Sequence, residues 1–119
     1  MAKAVGFGGA FIRARDPKAL YAWYEQHLGI KSQGCFIFPA KEQQAYTVVS
    51  FFGQNDAYFP TEQPAMLNFQ VDALNAVLDA LIAAGVTVDS KRENTEYGRF
   101  GWCTDPEGNR VELWEPAKE

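Results

Sequence analysis

The feature that most constrains this chain is an internal repeat: two helical patterns, each opened by an aspartate and closed by a glycine thirteen residues later. An aspartate oxygen accepts from the free N–H groups of a helix's first turn, and glycine enters the left-handed C-terminal cap without steric cost. Asp16-Pro17 predicts the first start, since proline is tolerated at the first helical position. Leu20, Tyr21, Trp23, Tyr24 and Leu28 follow at helical spacing up to Gly29. Asp72 predicts the second start, and Leu74, Val77, Leu78, Leu81 and Ile82 form one apolar stripe that ends at Gly85.

Each helix follows a strand-like run, at residues 8–15 and 66–71. In the second run Leu67, Phe69 and Val71 alternate with Met66, Asn68 and Gln70, so the odd positions should pack on the helix and the even ones face away. In the first run Ala10, Ile12 and Ala14 take the helix side, which leaves Phe11 and Arg13 on the other. Further strands are predicted at 35–38, 45–52 and 56–59, and after the second helix at 86–92, 99–104 and 110–114. Asp105-Pro106-Glu107-Gly108-Asn109 carries turn chemistry between the last two. The order is β-α-β-β-β twice, an α+β domain over residues 1–119 with module one at about 5–60 and module two at about 64–116. A ferredoxin-like β-α-β-β-α-β fold also uses two such helices, but leaves strands over.

A chain of 119 residues with nine Phe, five Tyr and three Trp has material for one core. The net charge of -4, with no basic cluster beyond Lys91-Arg92, argues against nucleic acid as a partner. There is no run of roughly 18–20 apolar residues and no secretory pattern, so no membrane contact and a cytoplasmic location are expected. Cys35 and Cys103 lie far apart and are expected to be two buried thiols. Gly6, Gly8 and Gly9 precede a strand, the wrong context for a phosphate loop. The single histidine, His27, falls in the last helical turn, where the dipole favours a cation; a hydrolytic triad is not expected.

Arg15-Asp16-Pro17, Trp23-Tyr24 and Leu28-Gly29-Ile30 resemble the opening of glyoxalase-like modules. The closing run from Gly101 to Pro116, with Asp105-Pro106-Glu107-Gly108-Asn109 and a strand bearing Glu112, is similar to that family's final signature. The chain thus resembles the glyoxalase / bleomycin-resistance / extradiol dioxygenase (vicinal oxygen chelate) superfamily. The resemblance implies curved mixed sheets around a cavity, and in the enzymes a divalent metal held by strand side chains. It places ligand positions at Gly9, Met66, a residue within 46–52, and Glu112. Gly9 has no side chain, Met66 offers a soft thioether, and 46–52 contains no acid, His or Gln. Neither a metal nor another cofactor is therefore expected.

What the resemblance leaves is a small-molecule-binding protein, with Phe11, Arg13, Tyr46, Asn68, Trp102 and Glu112 as ligand-binding candidates. Phe100 shares the Trp102 face, and Phe36, Phe38 and Phe52 are expected to extend an aromatic wall. Polar groups in an apolar cleft orient a ligand. The alternative is an enzyme of the same superfamily (lyase, isomerase or dioxygenase type) in which Glu112 is metal ligand or general acid/base. Glu112 has also a plain structural reading, as partner of Arg13 or Arg110, and Gln70 one as a hydrogen-bonding residue at a subunit contact. Tyr97-Gly98-Arg99 reads as a lid or an ordinary loop. A homodimer is expected under both functional readings.

Overall fold

In the computed structural model, which describes residues 2, 3, 5 and 7–118, helix α1 spans Pro17–Leu28 and helix α2 spans Leu74–Ala83. Gly6 lies outside the described residues. Asp16 Oδ1 accepts from the Ala19 N–H at 3.1 Å, and Gly29 is left-handed with φ 69°, so both ends of α1 are those predicted. The start of α2 is not. Its N-cap residue is Ala73, without a side-chain hydrogen bond, and the Leu74 N–H donates instead to Glu115 Oε1 at 2.8 Å. Sequence spacing reveals only neighbouring caps such as Asp72, whereas this carboxylate arrives from the last strand. Gly85 closes α2 at φ 81°, and the Val86 N–H donates to the Leu81 carbonyl at 3.0 Å.

The helices accompany one open mixed sheet: β1 (Asn68–Gln70), β2 (Glu93–Thr95), β3 (Gly98–Thr104) and β4 (Arg110–Pro116), in the order β1-β4-β3-β2. β1 and β4 are parallel, and the other pairs are antiparallel. The register aligns Asn68, Glu112 and Trp102 across β1, β4 and β3, and Phe69, Leu113 and Gly101 in the next row. Adjacent rows face opposite sides. The second row faces the core with Tyr24, Leu74, Leu78, Leu81, Cys103 and Val111. Gly101 belongs there because a Cβ would stand 2.4 Å from Leu78 Cδ1, so its absence lets α2 approach the sheet. Ile82, expected in the buried stripe, is 53% exposed; it sits one helical step beyond Leu81 and off the packed face.

The aspartate of the closing turn joins the two halves. Asp105 is 5% exposed and accepts from the Glu107 and Asn109 backbone N–H groups, the Asn109 amide and the Tyr24 hydroxyl, at 2.8–3.0 Å. Burial, then the hydrogen bond to Asp105, raises the Tyr24 phenol well above its ordinary value. Next to it Glu107 accepts from the Arg15 and Asp16 backbone N–H groups and from the Arg15 guanidinium, so the turn also grips the start of α1. The Arg15 backbone N–H, then its side chain, holds the Glu107 carboxyl below the ordinary carboxylate range.

Several sequence expectations are corrected here. Residues 8–15, 35–38, 45–52 and 56–59 form no strand, and 86–92 contribute only the Val88–Cys103 bridge. Alternation shows which side each residue would face; a ladder also requires a neighbouring strand, which is a non-local condition. Tyr97-Gly98-Arg99 is not a lid: Tyr97 lies in the tight β2–β3 turn, Gly98 and Arg99 begin β3, and the Tyr97 carbonyl accepts from Trp114 Nε1 at 2.9 Å and from the Ala117 N–H at 3.1 Å. Cys35 is exposed, while Cys103 is buried and burial pushes its thiol up to about 11. Thiolate is the reactive form, so native protein should release one equivalent of Ellman's chromophore per chain at about pH 8, through Cys35, with the second appearing only on denaturation. Two fast equivalents would contradict the placement of Cys103.

Candidate functional site

The face of the sheet opposite the core carries Asn68, Glu112 and Trp102 in one row and Gln70, Trp114 and Phe100 in the next. Glu112 is at the centre and 8% exposed. A buried carboxylate needs donors, and three reach it. Oε1 accepts from the Tyr58 hydroxyl at 2.5 Å and from Trp102 Nε1 at 3.1 Å; Oε2 accepts from the Asn68 amide. A carboxylate has about four acceptor positions, so one, on Oε2, is left.

Tyr58 comes from the connection between the halves. The Asp56 N–H closes a turn onto the Gly53 carbonyl, and Asp56 Oδ1 accepts from the Tyr58 N–H at 2.8 Å. Gln63 then grips Arg110 on both sides, accepting from its N–H at 2.8 Å and donating to its carbonyl at 2.9 Å. Between these anchors the Tyr58 ring stacks on Phe52 at 5.3 Å and meets Trp102 edge-on at 5.9 Å. Burial, then the bond to Glu112, raises the Tyr58 phenol far above its ordinary value, so it is a donor at every physiological pH. The Arg110 guanidinium lies 5.2 Å from the centre of the Trp102 ring, within cation–π range, and donates to Asp89 at 3.0 Å. Arg110 Nε is buried and has no hydrogen-bond partner among the described residues.

Of the residues proposed from sequence, Asn68, Trp102 and Glu112 come together. Phe11, Arg13 and Tyr46 are exposed, and none is among the groups that bond to Glu112 or stack around it. Arg110 pairs with Asp89 and not with Glu112. Gln70 accepts from the Gln44 and Ala45 N–H groups, each at 3.0 Å, and so holds residues 44–45 against β1. Tyr58 was missed as a site residue. Its local cue is the Asp-x-Tyr turn, which orients the backbone but does not say what the ring will meet.

A family model described as a glyoxalase-like domain matches residues 9–114. This chain belongs to that family. The glyoxalase-like fold is shared with TnmS3, described as an antibiotic binding protein from Streptomyces sp. CB03234, at 23% identity and TM-score 0.62 over 98% of this chain and 100% of that one. A protein of unknown function from Agrobacterium tumefaciens gives 19% identity and TM-score 0.59 over 98% of each chain. A glyoxalase/bleomycin resistance protein/dioxygenase superfamily member from Sphaerobacter thermophilus gives 20% and 0.55 over 89% of this chain and 93% of that one. No curated protein matches the chain.

Glyoxalase-like enzymes imply a metal, and the residues here do not fit one. A divalent cation needs lone pairs converging on one point. Around Glu112 the converging groups are a phenol O–H, an indole N–H and an amide N–H, which present hydrogens. Among the described residues no three His, Cys, Asp or Glu side chains gather to hold an ion. What this face of the sheet holds is the Glu112 carboxylate, with its three donors and the stacked rings of Tyr58 and Phe52 beside it. Also among the described residues, no helix is long and apolar enough to cross a membrane.

Proposed function

We propose that this protein is a cytoplasmic, metal-independent binder of small organic molecules, and that it works as a homodimer. The observation that carries the reading is Glu112, held by three donors beneath Phe52, Tyr58 and Trp102. Flat aromatic surface with one defined acceptor suits an aromatic ligand bearing a polar group. The description of the Streptomyces neighbour as an antibiotic binding protein points to the same ligand class. The dimer rests on the apolar surface of the first half. Phe7, Phe11, Ile37, Phe38, Tyr46 and Phe51 are 49–101% exposed, and an apolar surface of that extent marks an interface. In this reading the first module, at about 5–60, lays that surface against the second copy, while the second module, at about 64–116, carries the sheet.

The test is titration with a panel of aromatic antibiotics followed by tryptophan emission, with Trp102→Phe to assign the signal, alongside light scattering of the native protein. Saturable binding at roughly micromolar concentrations, and a mass twice that of one chain, are the expected results. A monomer with no saturable binding contradicts both halves of the proposal. Turnover of a bound compound that falls on the order of a hundredfold in Glu112→Gln would replace the binder by an acid/base enzyme.

A further inference from the structure

Resting on the binding role proposed above, we infer that Tyr58 is a built-in stand-in for the ligand, and that the ligand class is a hydroxyl-bearing aromatic whose O–H replaces the Tyr58 hydroxyl on Glu112. The Tyr58 ring is an intramolecular phenol seated in a complete recognition site. Its hydroxyl donates to Glu112 Oε1 at 2.5 Å, its face lies on Phe52 with the planes 22° apart, and its edge meets Trp102 at 85°. The three partners test three properties of an occupant: an O–H donor, a flat face and a ring edge. No acidic group and no metal chelate meets all three. A hydroxylated arene does.

Tyr58 is also placed to leave. It belongs to residues 53–65, which contain no helix or strand, and its own side chain is only half-buried. The segment is anchored on either side of it, by the Gly53–Asp56 turn and by the Gln63 clamp on Arg110, so the ring can swing outward without releasing the connection. Trp102 Nε1 and the Asn68 amide keep Glu112 oriented while the place of the phenol changes hands. A site that is closed by its own side chain binds with an affinity reduced by the fraction of molecules in which that side chain has moved away. Weakening the internal phenol should therefore tighten the external one.

The experiment is calorimetric titration of wild type and Tyr58→Phe with 2-naphthol and with 2-methoxynaphthalene. Phenylalanine keeps the ring and loses only the donor, a bond to a charged acceptor, so 2-naphthol should bind Tyr58→Phe on the order of tenfold more tightly than wild type. In both proteins the methoxy compound, which cannot donate, should bind on the order of tenfold more weakly than the naphthol. Equal or weaker naphthol binding by Tyr58→Phe overturns the inference, as does equal affinity for the two compounds in wild type, a comparison that needs no variant. Failure of both probes also overturns it. If antibiotics of the panel still bind saturably in any of these cases, the binding role stands and only the stand-in is lost; if nothing binds, both fall.

Discussion

Gly98→Ala is expected to destabilise the protein by about 4 kcal/mol or more, a large share of the roughly 5–15 kcal/mol that holds a domain of this size folded. Gly98 opens β3 at φ 126°, which an L side chain rarely adopts, and a Cβ there would stand 2.1 Å from the Glu115 carbonyl oxygen and 2.7 Å from the Ala117 nitrogen. Both are backbone atoms, so no rotamer change relieves the clash. The nearest alternative is to break the Gly98–Pro116 pair and with it the end of β4 that carries Glu115, the carboxylate that caps α2. Urea unfolding measured by circular dichroism gives the difference; a loss under about 1 kcal/mol would show that this turn is not built as described.

Asp105→Ala should cost nearly as much, about 3–4 kcal/mol, or a fall in melting temperature of roughly 10–15 °C. The carboxylate accepts four hydrogen bonds within a nearly closed environment, and its removal strands the Tyr24 hydroxyl, itself on a ring 2% exposed in the core. Tyr24→Phe serves as the companion measurement. It deletes one donor and leaves Asp105 with its three turn contacts, so its cost should be about 1 kcal/mol. A loss for Asp105→Ala no larger than that for Tyr24→Phe would contradict the role of Asp105 as the joint between α1 and the closing turn.

These two residues mark how far the sequence could be read. Asp105 was visible as part of a turn signature, because proline and glycine at set offsets define a turn locally; that its second oxygen holds α1 through Tyr24 was not, since the contact spans 81 positions. Gly98 was visible as part of Tyr97-Gly98-Arg99, which reads as a lid or an ordinary loop, whereas its φ and the backbone atoms crowded around it fix it at the start of β3. The same division runs through the site. The parity of β1 and β4 places Asn68 and Glu112 on the face away from the core, as alternation predicts, and Trp102 joins them because its register partner is Glu112. Phe11 and Arg13 were placed by the same rule in a segment where no ladder forms, so the rule had nothing to act on, and Tyr46 was named as an aromatic alone, which gives no direction. Tyr58 escaped because a connection has no period from which to infer a direction.

The superfamily resemblance located the closing signature and Glu112 at the same time as the residues at its other ligand positions argued against a metal. The donor shell around Glu112 supplies a physical reason for that choice: an ion would have to displace an amide, an indole and a phenol that already satisfy the carboxylate.

The most direct test of a metal-independent binding site is calorimetric titration of the intact protein with the tightest antibiotic of the panel, first in EDTA and then with Mn, Ni or Zn ions added. The expected result is one affinity, the same within about threefold in all four conditions, because no ligand contact passes through an ion. Binding that vanishes in EDTA and returns with one of the metals would contradict the account and make Glu112 a metal ligand.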